Sequence, residues 1–229
     1  MSAEAILQES WLLFRTHWRY LAVIAAINLV FSLIISVAVT FLGVTSLISL
    51  SANLMGGSPW LSFAIFVAFL ALLASLIAPV LTGATAVAAR TVLGKKQTID
   101  YLAPYREALT KYSTLLGVTV VVGAAVIGGF ILLVIPGLIA LVLLTPAVYL
   151  VFAEGGSVQS ALERSVALGK AHTVTISFLL LTVGLASVVG SWLLSHVPLV
   201  GDLASAYGQS LVTVFGMLVI AVFHKHATR

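Results

Sequence analysis

The chain has 229 residues, of which 61% are hydrophobic and only 8% are charged, and its mean hydropathy is +1.20. A water-soluble fold of this length needs more polar surface, so the composition excludes a soluble globular protein and predicts an all-α integral membrane protein with a single domain, 1–229. Cysteine is absent, which excludes disulfides and thiol chemistry. On a membrane protein, the net charge of +4 indicates orientation and attraction to anionic lipid, and we expect no nucleic-acid partner.

The chain opens with an amphipathic helix that we expect to lie along the membrane surface. Ser2 can cap it, with Glu4 in its first turn and Arg15 near its end, so both charges match the helix dipole. The apolar run 20–42 follows and is long enough to cross a hydrocarbon core of about 30 Å. Because charged residues precede this run, we expect it to stay as the first span rather than to be removed as a signal. Asn28 is its one strongly polar residue.

The second span is predicted over 60–81, with a helical continuation through small residues to Arg90. The stretch 43–59 that precedes it carries no charge, and we predict a loop there that follows the far membrane face. Lys95 and Lys96 close the second span.

A second amphipathic helix is predicted over 99–112, with Thr98 as its cap. Pro104 falls beyond the first turn of that helix. Because proline disrupts a helix interior, either the helix is kinked there or it begins later in the chain.

The apolar stretch 113–152 is too long for one span, so it is predicted to form a hairpin of two spans. Pro136 and Gly137 mark the expected hairpin break. The fourth span, 138–152, is short and contains Pro146, so we expect it to be kinked or displaced toward the cytoplasmic interface.

Ser157 begins a third amphipathic helix that ends near Lys170. The fifth span is predicted over 174–194 and the sixth over 203–223. A tight loop joins these two spans.

The positive charges favour this arrangement of six spans. All eleven Lys and Arg residues fall in the N-terminal helix, the connection 90–111, the helix 164–170 or the C-terminal tail, and six spans put these four segments on one side. Short basic loops stay in the cytoplasm, so we expect both termini inside the cell and Asp202 as the one charged residue outside.

The three amphipathic helices also suggest an internal repeat. With Ser2, Thr98 and Ser157 in register, Arg15 aligns with Lys111 and Lys170. The predicted unit is an interfacial amphipathic helix followed by a two-span hairpin, over 1–93, 97–153 and 156–226. Common ancestry of the three units stays open, because any amphipathic helix before a span shows some agreement.

Motifs that carry catalysis are missing from the sequence. It holds no zinc-protease motif, no nucleophile elbow, no P-loop and no set of metal ligands. No ionisable residue lies near the middle of a predicted span, where ion-coupled transporters usually need one. We therefore expect no enzyme activity, catalytic residue, metal or cofactor.

Two groups of residues remain as candidate sites. Asn28 and the stripe Ser187, Ser191 and Ser195 could line a polar path for a solute, although serines spaced by four more often pack helices together through hydrogen bonds across them. The second group is a basic belt that either determines topology alone or contacts anionic lipid or a protein partner. It comprises Arg15, Arg19, Lys95, Lys96, Lys111, Arg164 and Lys170.

Residues 134–172 resemble a bacterial family pattern. The pattern consists of Pro-Gly after an apolar residue, a short span containing proline, an acidic or polar turn and an Ala-Leu-x-Arg-Ser helix, and it stands here in Val134 to Val148, Glu154, Ser160 to Ser165 and Lys170 to His172. It is similar to the YciC-type inner-membrane proteins and to the membrane domain of some glycerophosphodiester phosphodiesterases. The resemblance implies a six-span protein of the bacterial cytoplasmic membrane. These 229 residues contain no phosphodiesterase domain, so that activity is not carried over.

Two functions follow from these observations. The leading hypothesis is a non-enzymatic membrane component that binds membrane lipid or a protein partner through its basic cytoplasmic face. The alternative is a passive transporter or channel for a small neutral or amphiphilic solute. Small-residue faces on the third and fifth spans would also suit a homo-oligomer.

Overall fold

The computed structural model describes residues 2–54, 59–94, 100–196 and 201–228. Across these ranges the regular secondary structure is entirely α-helical. The helices are α1 Ala3–Thr16, α2 Trp18–Leu54, α3 Pro59–Leu93, α4 Ala103–Thr110, α5 Tyr112–Leu132, α6 Val134–Leu144, α7 Ala147–Ala153, α8 Val158–Ala171, α9 Thr173–Ser195 and α10 Gly201–Ala227.

Several of these helices can cross a membrane. Within the described ranges, five helical segments are long and apolar enough to do so, with α6 and α7 counted together, and the pair α1–α2 brings the number to six. This pair is bent by 86°, as expected for a surface helix that leads into a span. The prediction of an all-α fold with several helices long and apolar enough to span a membrane is therefore confirmed, and the division into three units stays a prediction.

Helix α2 continues far past the end that we predicted for it. It reaches Leu54, so the prediction of a loop beginning at residue 43 is wrong. The stretch 43–54 holds neither charge nor proline, and hence nothing in it stops a helix. Helix α3 starts at Pro59 and is unbroken through Arg90. At 1.5 Å per residue, α2 is about 55 Å long and α3 about 52 Å long.

Helix α4 begins later than its repeat register suggested. It starts at Ala103, so Pro104 lies in its first turn, where proline is tolerated. The Asp100 Oδ1 atom accepts hydrogen bonds from the backbone N–H of Leu102 at 2.9 Å and of Ala103 at 3.2 Å. The cap that we predicted, Thr98, lies outside the described residues.

The hairpin of α5 and α6 reverses at Leu133, whose backbone is extended. Pro136 and Gly137 lie in the first turns of α6, so the break comes earlier than predicted. Gly137 instead brings the helices together: a Cβ atom built on Gly129 of α5 would lie 2.8 Å from the Gly137 Cα.

A second break separates α6 from α7 at Thr145 and Pro146. Helices α6 and α7 together run back along α5, because the Lys111 Nζ atom before α5 donates to the Val151 carbonyl near the end of α7 at 2.9 Å. Small residues let α3 pack closely at this level: a Cβ atom built on Gly83 would lie 2.7 Å from the Leu115 side chain of α5.

The two ends of the chain lie at the same end of the bundle. Lys225, near the end of α10, contacts Glu9 of α1 at 2.6 Å. Arg90, near the end of α3, donates to the Phe152 carbonyl of α7 at 2.8 Å. We call this end of the bundle the charged rim; it comprises Glu9, Arg90, Glu107, Lys111, Glu154, Arg164, His224, Lys225 and His226 with their contacts.

Candidate functional site

An open cavity of about 500 Å³ lies between α2, α3 and α10. We call it the polar cavity, because eight of the thirteen described residues that line it carry an uncharged polar side chain and none of these thirteen carries a charge. The polar residues are Asn28, Ser32 and Ser36 of α2, Thr82 and Thr85 of α3, and Gln209, Ser210 and Thr213 of α10.

The polar cavity lies between helical segments that are long and apolar enough to cross a membrane. Measured along the helices at 1.5 Å per residue, Thr82 is about 12 Å from Arg90 and Ser36 is about 27 Å from Trp18. Since a hydrocarbon core is about 30 Å thick, polar groups at these depths are unusual and costly unless they find hydrogen-bond partners.

Asn28 stands at the end of the polar cavity nearest the charged rim. The Tyr105 hydroxyl of α4 donates to the Asn28 Oδ1 atom at 2.6 Å and lies 3.2 Å from the Ile24 carbonyl. Helix α4 is held in place by an ion pair of 2.6 Å between Glu107 and Arg90 of α3. A residue of α4 therefore fixes the amide at this end of the cavity.

Tightly packed apolar residues fill the space between the polar cavity and the charged rim. On α2, Leu21, Ile24 and Ala25 are fully buried, and on α3 Val87 and Ala88 are 3% and 0% exposed. These residues belong to one hydrophobic cluster that also includes residues of α10. The polar cavity is consequently closed toward the charged rim.

Two residues of the predicted serine stripe form hydrogen bonds with Gln209 of α10. The Ser187 hydroxyl donates to the Gln209 Oε1 atom at 2.6 Å, and the Gln209 Nε2 atom donates to the Ser191 hydroxyl. Ser195 donates to the Trp192 carbonyl of its own helix at 2.8 Å. Asn28 lines the polar cavity, whereas these three serines are not among the described residues that line it. Gln209 is thus the residue that joins the two parts of the predicted polar path.

The sequence carried a signal for the polar cavity that the prediction missed. Asn28, Ser32 and Ser36 are spaced by four along α2, the same spacing that singled out the serines of α9. On α10, Gln209, Ser210 and Thr213 share one helical face at spacings of one, three and four. Only the fold shows that these faces meet across one cavity.

Part of the predicted basic belt is engaged within the protein. The Lys111 Nζ atom donates to the Val151 carbonyl and lies 5.3 Å from the centre of the Phe152 ring. Arg164 pairs with Glu154 at 3.2 Å. Lys111 therefore supplies a hydrogen bond to a carbonyl group near the end of α7, and Arg164 pairs with the carboxylate of Glu154 in the turn after it.

The rest of the described belt is exposed to the surroundings. Arg15, Arg19 and Lys170 are exposed, and none of them forms an ion pair within the described part of the chain. The Arg19 guanidinium lies 5.8 Å from the centre of the Trp18 ring. Lys95 and Lys96 lie outside the described residues.

Two carboxylates at the charged rim bind histidines of α10. Hydrogen bonds from Lys225 at 2.6 Å and from His226 at 2.5 Å hold the pKa of Glu9 below its ordinary value. Burial raises the pKa of Glu154, but hydrogen bonds from His224 and Arg164 outweigh it, so that this pKa is also lowered. Both groups therefore stay ionised at neutral pH and tie α10 to α1 and to the turn before α8.

Comparisons with known proteins leave the function to be argued from this geometry, since no family model, curated protein or solved structure matches the chain. In the described ranges, no group of three His, Asp or Glu residues could hold a metal ion. The polar cavity offers hydroxyl and amide groups without a charge, an arrangement that can bind an uncharged polar molecule through hydrogen bonds.

Proposed function

We propose that this protein is a non-enzymatic, multi-pass membrane protein that binds a small uncharged polar solute in the polar cavity and lets it cross the membrane passively. The supporting observation is the set of eight uncharged polar side chains that line one cavity between helices long and apolar enough to cross a membrane. Hydrogen bonds from such a lining replace those that a solute loses when it leaves water.

Passage of the solute requires a second state of the bundle. The apolar residues around Ile24 and Ala88 separate the polar cavity from the charged rim, and Tyr105 holds Asn28 at the boundary. In the proposed cycle, movement of α4 releases Asn28 and opens this boundary. The ion pair of Arg90 with Glu107 favours the closed state.

The test is solute flux into proteoliposomes, followed by light scattering after rapid mixing with glycerol. We expect the protein to raise glycerol permeability above that of protein-free liposomes. The variant Ala206→Phe places a phenyl ring in the polar cavity and should lower permeability clearly below that of the unmodified protein. Ala186→Phe makes the same change at an exposed position of α9 and should conduct like the unmodified protein. Equal flux for the two variants would refute the proposal.

A second candidate function rests on the corner between α1 and α2. Trp11 and Trp18 are 59% and 54% exposed there, beside the exposed Arg15 and Arg19. Tryptophan and arginine together suit the headgroup region of an anionic membrane. We propose that this corner binds anionic lipid, or a protein partner with an acidic surface, and that Lys170 is a further contact.

Lipid retention tests this second function. The protein is reconstituted in nanodiscs of mixed phosphatidylglycerol and phosphatidylcholine, extracted in mild detergent and analysed by native mass spectrometry. The variant Arg15→Glu/Arg19→Glu should retain less phosphatidylglycerol than the unmodified protein. Arg106→Glu reverses a charge on α4, where Arg106 already faces Asp100 at 3.8 Å, and should change retention little. Unchanged retention in the double variant would count against lipid binding at the corner.

Orientation and family membership belong to the proposal as well. The clustering of cationic residues at the charged rim supports a cytoplasmic position for that end and for both termini. We propose the bacterial cytoplasmic membrane as the location and the YciC-type proteins as the family, supported by the sequence pattern in residues 134–172.

A further inference from the structure

We infer that the polar cavity selects small uncharged solutes that donate several hydrogen bonds, of the urea and small-polyol class, over solutes of similar size that only accept them. This inference rests on the proposed transport function and specifies its substrate. It follows from the direction in which the hydroxyl groups of the polar cavity point their protons.

Four hydroxyl groups of the polar cavity already donate their proton to a backbone carbonyl. Thr82 donates to Ala78 at 2.7 Å and Thr85 donates to Thr82 at 2.7 Å, both on α3. On α10, Ser210 donates to Ala25 of α2 at 2.7 Å, and Thr213 donates to Gln209 at 2.9 Å.

A hydroxyl group has one proton and two lone pairs, so these four groups can offer only lone pairs to a solute. Walls on α3 and α10 therefore act as hydrogen-bond acceptors. A solute gains most there if it brings N–H or O–H groups, whereas a solute without them leaves the lone pairs unsatisfied in a poorly hydrated site.

The amide groups add a donor at the closed end of the polar cavity. Tyr105 donates to the Asn28 Oδ1 atom, and the NH₂ group of Asn28 is a donor that an acceptor on a solute can meet. The Gln209 amide makes one bond to Ser187 and one to Ser191. A carbonyl or hydroxyl oxygen near Asn28, with several donors along the walls, is the pattern that urea or glycerol presents.

A cation also seeks lone pairs, but the lining does not favour one. The thirteen lining residues that the structure describes include no carboxylate. Moving an unpaired charge from water to this depth costs far more than a few hydroxyl contacts return. The substrate class is therefore uncharged.

The experiment measures urea and glycerol flux in proteoliposomes for Thr82→Val/Thr213→Val, which keeps the shape of both side chains and removes two acceptors. We expect urea flux to fall at least about fivefold, since each lost hydrogen bond is worth about 1 kcal/mol. The control is Thr182→Val on α9, because Thr182 makes the same bond to a carbonyl one turn earlier, Phe178, at 2.9 Å but does not line the polar cavity. Its flux should equal that of the unmodified protein. Thr82→Ser keeps the hydroxyl group, and with it the acceptor, that Thr82→Val removes. It should therefore conduct better than Thr82→Val.

The second part of the experiment measures whether small molecules compete with urea for entry. Acetamide, which has two N–H donors, should slow urea influx, whereas acetone has nearly the same shape and no donor and should not. If the protein conducts urea, but the double variant conducts as well as Thr182→Val and acetone competes as strongly as acetamide, the inference is overturned and the transport function stands. If neither urea nor glycerol crosses faster than in protein-free liposomes, the transport function itself fails and the inference with it.

Discussion

Removal of one hydroxyl group, Ser165 of α8, should weaken the bundle where α6 breaks. Ser165 is fully buried and donates to the Leu143 carbonyl at 2.8 Å. Pro146 has no N–H group, so the break disturbs the hydrogen-bond ladder of the last turn of α6. One turn along α8, Gly169 packs against the same residue: a Cβ atom built there would lie 2.7 Å from the Leu143 Cα. Helix α8 therefore packs against the break between α6 and α7, and its Ser165 hydroxyl supplies a hydrogen-bond donor that the backbone of α6 lacks there.

The variant Ser165→Ala leaves the Leu143 carbonyl without that donor, in a position where water has little access. A buried acceptor that loses its partner costs about 1–3 kcal/mol. For a chain of this size, each kcal/mol corresponds to about 2–4 °C in melting temperature. We expect Ser165→Ala to lower the melting temperature in detergent by at least about 2 °C, followed by circular dichroism at pH 7.

The matched control is Ser160→Ala on the same helix. The Ser160 hydroxyl is exposed and donates to the nearby Ser157 carbonyl at 2.9 Å, so its removal should change stability by no more than about 0.5 kcal/mol. Equal melting temperatures for Ser165→Ala and Ser160→Ala would refute the reasoning, because they would mean that the bond to Leu143 contributes nothing.

Two further predictions concern the hairpin and the charged rim. Gly129→Ala should destabilise the hairpin by about 1–3 kcal/mol, because its Cβ atom would lie 2.8 Å from the Gly137 backbone. The control Gly128→Ala meets no atom within 4 Å and should gain about 0.5–1 kcal/mol of stability from helix propensity. Thermal unfolding that ranks the two variants in the opposite order would contradict this. The lowered pKa of Glu9 means that its ionised form contributes stability above the ordinary carboxyl pKa of 4.5 and loses it as pH falls through the lower native value. Glu9→Gln should therefore be less stable at pH 7 and show a smaller loss of stability on acidification below about pH 4.5; an unchanged acid profile would show that the contact with Lys225 has no energetic effect.

The sequence was sufficient for the class of fold, since hydropathy alone predicts several membrane helices. The helix caps were also predictable where the cap residue is local: Ser2 accepts from the Ala5 N–H of α1 at 3.4 Å and Ser157 from the Ser160 N–H of α8 at 3.3 Å. The sequence did not predict where α2 ends or where the chain breaks before α6. Both depend on what stops a helix, and apolar residues such as Leu133 have little local preference, so packing of α5 against α6 decides where the chain turns.

Roles of the basic residues could be predicted only in part. A six-span order predicts that these residues share one side of the membrane, but it does not predict their partners. Helix α7 is so short that its carbonyl groups are mostly terminal, and it therefore recruits Lys111 and Arg90 from other helices. No local pattern distinguishes Lys111, which is engaged there, from Lys170, which is exposed. The distinction arises from tertiary contacts alone.

The lengths of the helices bear on how short the barrier to a solute is. Tilting α2 enough to fit its 55 Å into a core of about 30 Å would need more than about 50°, well beyond the average of about 20° for membrane helices, so part of α2 extends beyond the core. With Trp18 at one interface, Ser36 lies near the opposite boundary of the core, about 27 Å away. The polar lining from Asn28 to Ser36 then accounts for about 12 Å of the distance across. Only the packed segment between the polar cavity and the charged rim has to open, and it is about 8 Å long on α3, from Thr85 to Arg90, and about 15 Å long on α2, from Asn28 to Trp18. A barrier of this length is about one and a half to three helical turns, which a shift of the short helix α4 and its Tyr105 can disturb without rearrangement of the whole bundle.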